Sequence, residues 1–179
     1  EKCTWLHNSL NIENISKLPA IQASRKAYKA MGKDPARYRL SAEALLRRAV
    51  KEKSLYRINN VVDLLNLVSI TSGYSIGGYD VEKITGGVSL GTGCKDEPYV
   101  GLGRGILNIE GMPVLRDAEG AFGSPTSDSE RTGVTFETQR FLMVIFGFYV
   151  GDSLAETEKF AVDLLKHFAD AHDFEIKTV

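Results

Sequence analysis

The sequence predicts an α+β domain, and three observations carry that reading. Up to Gly73 the apolar residues recur at helical spacing. Beyond residue 75 glycines multiply and the apolar runs shorten, as in "GGVSLG", "YVGLG", "GILNI" and "PVLRD". A β-branched and aromatic run at 140–150 then leads into a Ser-x-x-Glu helix start. Helices first, mostly antiparallel sheets next and a closing C-terminal helix make the α+β arrangement.

In chain order, "ASRKAYKAMG" reads as a short helix with Ala23, Ala27 and Ala30 on one face and Gly32 as its stop. Asp34-Pro35 begins a turn. Ser41 then caps "AEALLRRAVK", with Leu45, Leu46 and Ala49 as the buried stripe and Arg47, Arg48 and Lys51 on the other side. Asn59 caps a third helix, in which Val61, Leu64, Leu65 and Val68 keep helical spacing until Gly73 ends it. "VLRDAEGAF" reads as a hairpin turning at Asp117 to Gly120. "RFLMVIFGFYV" (140–150) is rich in residues that favour strands and reads mostly as a buried strand. Ser153 and Glu156 form a capping box, and the helix they open, about 153–172, buries Phe160, Leu164 and Phe168. "FEIKTV" suits a last strand. No repeat and no low-complexity linker divides the chain, so residues 1–179 read as a single domain.

Composition bounds the function. At 43% hydrophobic, 25% charged and net charge −1, the chain is that of an ordinary globular protein with a sizeable core. No apolar run approaches the roughly 18 residues of a membrane span, and "EKCTWLHNSL" holds no signal-length apolar run. Two cysteines, Cys3 and Cys94, are too few for a disulfide scaffold; they read as free thiols in a cytoplasmic setting, with a single disulfide between them as the alternative. The first residue is Glu1 rather than Met, as in a fragment or a trimmed chain. The mean charge hides a segregation. Between Arg25 and Arg57 there are 11 Lys/Arg against 3 Asp/Glu, a local net of +8. Such a block is either a pair of solvated basic helices or an electrostatic footprint for RNA, carried by Arg25, Lys26, Lys29, Arg37, Arg39, Arg47, Arg48 and Arg57.

Several chemistries are set aside. His167 and His172 are five apart and do not share a helix face, so with Asp170 and Asp173 they make a solvated helix end rather than a zinc site. "GLGRG" at 101–105 does not complete a dinucleotide fingerprint, because position 106 is Ile, nor a P-loop, because no Lys-Ser/Thr follows. There is no Gly-x-Ser-x-Gly elbow and no cysteine beside a histidine base. No metal and no cofactor is expected.

Three polar segments remain. Asn59, Asn60, Asp63 and Asn66 interrupt an apolar helix, where they tie loops down or touch a ligand. "SGYSIGGYD" (72–80) brackets Gly77 and Gly78 with Tyr74 and Tyr79; the rings are either stacking platforms or core residues. "SPTSDSERTGVTFET" (124–138) gathers Asp128, Glu130, Arg131, Thr132 and Thr135 in a polar loop, as sites and solvated connectors both do.

The order of "INNVVDLLN", "IGGYDVEKITGG" and "RTGVTFETQRFLMVI" resembles the B3/B4 editing domain of the phenylalanyl-tRNA synthetase β subunit. The upstream "ARYRLSAEALLRR" resembles free-standing relatives of that domain. The likeness covers roughly residues 20–150. It implies a three-layer α+β domain with a pocket between sheet and loops, in which the synthetase hydrolyses tyrosine wrongly attached to phenylalanine tRNA. Asn60, Asp63, Asn66, Tyr79, Asp80, Thr135 and Glu137 match the family pattern. The family histidine falls on Gly77, and its Gly-Gly-Glu is replaced by "FGSPTSDSE". "SIGGYD" is then expected as a loop along one wall of an editing-type pocket.

Two readings follow. One is an aminoacyl-tRNA deacylase acting in trans, with Asp128, Glu130, Arg131 and Thr132 around a water and Asn60, Gly77, Gly78, Tyr79 and Thr135 holding substrate. The other is a non-catalytic module of the same fold that binds an amino acid, a small ligand or an RNA end. The expected partners are tRNA and an amino acid or its ester.

Overall fold

A computed structural model describes residues 1–148 and 153–179. Four helices come first: α1 (Lys2–Ser9), α2 (Pro19–Ala30), α3 (Ser41–Glu52) and α4 (Asn60–Ser72). The strands are β1 (Ser75–Asp80), β2 (Ser89–Thr92), β3 (Val100–Gly101), β4 (Gly105–Ile106), β5 (Pro113–Asp117), β6 (Gly120–Gly123) and β7 (Phe141–Phe146), and α5 (Ser153–Ala169) follows. The domain is α+β with N-terminal helices, antiparallel strand ladders and a C-terminal helix, as the sequence predicts.

Local signals place these elements well. Asn59 accepts the Val62 N–H at the start of α4, and Gly73 closes that helix at φ 82°. The hairpin turns where Asp117 pairs with Gly120. Asp117 accepts the N–H groups of Glu119 and Gly120, which is why an aspartate opens this turn. β7 occupies 141–146 of the predicted strand, and its residues 149–150 lie outside the described residues.

Elsewhere packing overrides the pattern. α1 buries Leu6 alone and carries no clear apolar stripe, so periodicity does not reveal it. α2 starts at Pro19 and buries Ala20, Ile21, Ser24 and Tyr28 rather than the Ala23/Ala27/Ala30 face. Leu40, not Ser41, is the N-cap of α3. α5 buries Thr157, Ala161 and Leu165, and Phe168 stands 67% exposed. The Ser153 hydroxyl meets that of Tyr74. "FEIKTV" forms no strand and pairs with none of the sheets. "SIGGYD" is not a loop but β1, paired along its whole length with β7.

Three layers result. α1, α2, α3 and α4 enclose a cluster around Ile15, Ile21, Leu46 and Ile70. β1 and β7 pack against α4 and α5 through Leu65, Val68, Ile76 and Ala161. Their opposite face meets the β2–β5–β6 sheet through Tyr79, Leu115, Phe122 and Phe146. The two central glycines of β1 serve this sandwich. Successive residues of a strand face opposite sides. A Cβ at Gly78 would press on Leu65 and Phe141, both within 3 Å, on the helical side. A Cβ at Gly77 would collide with the Tyr79 hydroxyl on the other. No helix among the described residues is long and apolar enough to cross a membrane.

Candidate functional site

The segment 124–129 is the hub of the second half, and three tyrosines from different layers hold it. Tyr28 of α2 shares a hydrogen bond of 3.0 Å with the Thr126 hydroxyl. Tyr99 donates to the Ser127 carbonyl at 2.6 Å. Tyr79 of β1 donates to Asp128 Oδ1 at 2.6 Å, and the Gly78 N–H reaches Oδ2 at 3.4 Å. All three rings are essentially buried. Burial pushes the Tyr28 phenol up to about 12 against the Thr126 bond. Burial, reinforced by the neighbouring Asp128 carboxylate, raises Tyr79 and Tyr99 well above the usual range. Burial likewise raises the Asp128 carboxyl to about 7, while the Tyr79 and Gly78 bonds pull the other way. Tyr74 and Tyr79 are therefore core residues with engaged hydroxyls, not exposed stacking platforms.

The four catalytic candidates do not gather round one point. Asp128 faces β1. Arg131 forms a two-pronged pair with Asp117, at 2.9 and 2.8 Å. It also donates to the carbonyls of Lys83 and Gly120. Burial alone would raise the Asp117 carboxyl, but Arg131 and the Thr85 and Glu119 N–H groups together hold it down at about 2. Thr132 is fully buried, and its hydroxyl finds no partner among the described residues. Glu130 is exposed and, with Arg131 and Ser129, lines a groove of about 440 Å³ beside Glu97, Tyr99 and Glu119.

The substrate candidates divide similarly. Gly77, Gly78 and Tyr79 lie in the sandwich. Asn60 is exposed at the start of α4, with its side chain on the Val61 N–H. Asp63 accepts from Arg57 and the Ile58 N–H, so this helix ties down the loop before it. Thr135 is exposed in a turn that Thr138 fastens to Asp80 at 2.8 Å.

The basic block also splits. Glu43 is buried on α3 and takes both Arg25 and Arg47. Arg48 pairs with Glu52 and lies over the Tyr56 ring, and Arg57 pairs with Asp63. Lys26, Lys29, Arg37 and Arg39 are exposed and make no ion pair among the described residues. Arg37 edges a second cavity, of about 240 Å³, whose walls come from segments far apart in the chain and so leave no local sequence signal. It opens between the α2–α3 connection, the β3–β4 hairpin and Ser124 and Thr126. Arg104, from the hairpin "GLGRG", is on its wall, with Ile109 and Met112 among its apolar lining. Among the described residues no three His, Cys, Asp or Glu side chains cluster as metal ligands, and Cys3 and Cys94 are free thiols.

A family model, described as the B3/4 domain, matches residues 23–159. The chain belongs to the B3/4 domain family. A search of curated proteins gives no match. The matched span runs from α2 into α5, so it holds both the tyrosine-held segment and the Arg37/Arg104 cavity of this B3/4 domain.

Proposed function

We propose that this B3/4 domain is an RNA-binding module that holds an RNA end and does not hydrolyse an ester. One observation carries the reading: the unpaired cations Lys26, Lys29, Arg37 and Arg39 follow α2 and its exit, and Arg37 reaches the rim of an open cavity. Free guanidinium and ammonium groups attract a phosphate backbone, and an adjoining cavity receives what the backbone ends in. Loss of hydrolysis is supported at position 77. The resemblance puts a histidine there, but the Tyr79 phenol fills that space and bonds to Asp128.

A deacylase acting in trans is the second reading, and the Asp128 carboxyl favours it. A carboxyl raised to about 7 is matched to proton transfer near neutrality. Binding and ester loss should therefore be followed together on a panel of correctly and wrongly charged tRNAs. Salt-sensitive binding without release supports the module. Release that disappears in Asp128→Asn would establish the deacylase instead. A folded protein that neither binds nor releases any tRNA excludes both.

A further inference from the structure

The Arg37/Arg104 cavity offers donors and almost no free acceptors. The Ser124 hydroxyl donates to the Ser127 carbonyl and takes the N–H groups of Thr126 and Ser127. The Thr126 hydroxyl is held by Tyr28 and the Tyr38 carbonyl. Asn108 Oδ1 already accepts the Glu110 N–H. What remains is two guanidinium groups, the Asn108 amide N–H groups and the neutral Tyr38 hydroxyl, which can donate or accept. No Asp or Glu is among the lining residues. Lys33 adds a third cation nearby, 5.3 Å from the centre of the Tyr38 ring, whose other cationic neighbour is Arg37 at 5.5 Å.

This donor set selects against an amino acid or its ester. The ammonium group of either would meet guanidinium groups and no protein carboxylate, a like-charge contact that only the neutral Tyr38 hydroxyl is there to offset. It suits a ligand that only accepts and carries more than one negative charge. A phosphomonoester does both, and arginine's fork matches its oxygens. The apolar part of the lining, Leu107, Ile109 and Met112 with the 89% exposed Ile106 at its edge, suits the sugar and base that carry such a phosphate. At about 240 Å³ the cavity lies below the roughly 300–1,000 Å³ of drug-sized pockets, so it takes one terminal group.

We infer that the Arg37/Arg104 cavity receives the terminal phosphomonoester of an RNA chain. This rests on the RNA-binding reading and names the end that is recognised. The test uses one short RNA sequence in four forms, with phosphate or hydroxyl at the 5′ end and at the 3′ end, titrated at physiological salt. One phosphorylated form should bind at least about tenfold tighter than its hydroxyl counterpart, the smallest gain expected from a single hydrogen bond to a charged group. Which form does so says which terminus is read. Arg104→Ala should bring the pair to equal affinity, and Arg104→Lys should restore little, because it keeps the charge and loses the fork. Circular dichroism would show that both variants are folded. Equal binding of all four forms by the unaltered protein overturns the inference and leaves the RNA reading standing. A preference that survives Arg104→Ala also overturns it, since the phosphate is then read elsewhere. If no RNA binds at all, the RNA reading fails, and thermal shift with adenosine 5′-monophosphate decides for the cavity. A shift lost in Arg104→Ala keeps a phosphomonoester there, and no shift removes it.

Discussion

At the scale of single residues, the contact between Gly77, Tyr79 and Asp128 governs most of what is particular to this domain. Gly77 and Gly123 flank the Tyr79 hydroxyl so closely that a Cβ at either would overlap it. Gly77→Ala should therefore cost about 1–3 kcal/mol by overpacking, read from urea unfolding, and Tyr79→Phe should recover part of the loss. An Ala at 77 without cost would mean that the phenol moves aside freely. Asp128 makes a second prediction. In the unfolded chain its carboxyl ionises near the ordinary aspartate value of about 3.9; in the fold it does so at about 7. Between these values the folded state holds the extra proton, so stability falls as pH rises from about 4 to about 7. Asp128→Asn, with the Tyr79 bond still available to its carbonyl, should flatten that fall. The buried Tyr79 and Tyr99 phenols stay protonated throughout this range and do not mask it. Identical pH profiles for the two proteins would show that Asp128 titrates as an exposed carboxylate.

At the scale of elements, the β5–β6 hairpin depends on Arg131. Its guanidinium reaches Asp117, the Gly120 carbonyl and the Lys83 carbonyl, so it joins the hairpin turn to the chain after β1. The Asp117 side chain is wholly buried, and truncating Arg131 leaves that charge unpaired. Arg131→Ala should lower stability by about 3 kcal/mol, and Arg131→Lys should regain only part, measured by denaturant midpoints. A loss of activity in Arg131→Ala is thus no sign of a catalytic arginine unless folding is checked alongside. The ends of α4 and this hairpin turn were legible in the sequence because Asn59, Gly73 and Asp117 act on backbone within a few residues of themselves. The buried face of α2 was not, and that of α5 only in part: Phe160 and Leu164 pack against the core and Phe168 does not. Ala23 and Phe168 satisfy helical spacing, but spacing says nothing of which stripe the neighbouring layers cover.

For the whole molecule, charge pattern and charge availability differ. Of the eight basic candidates, Arg25, Arg47, Arg48 and Arg57 are held by carboxylates, and two of these share the buried Glu43 that joins α2 to α3. RNA affinity should accordingly fall with salt through the free set. Replacing Lys26 and Lys29 together by Ala should reduce the slope of log affinity against log salt by about 2, while Lys159→Ala on the exposed side of α5 should leave it unchanged. A slope indifferent to Lys26 and Lys29 would move the RNA surface elsewhere.

The sequence by itself determined the α+β class, the order of most elements, the hairpin at 117–120 and the B3/4 likeness. The first three rest on periodicity or on residues acting locally, and the likeness rests on the resemblance of its ordered motifs to a known family. Only the tertiary structure decided that "SIGGYD" is an inner strand whose glycines make room for Leu65 on one face and Tyr79 on the other. It alone separated paired from free cations and brought Arg37 to the same cavity as Arg104. The reason is physical: burial and pairing are set by chain segments far apart in sequence, and neither the space beside a glycine nor the partner of an arginine is encoded in its neighbours.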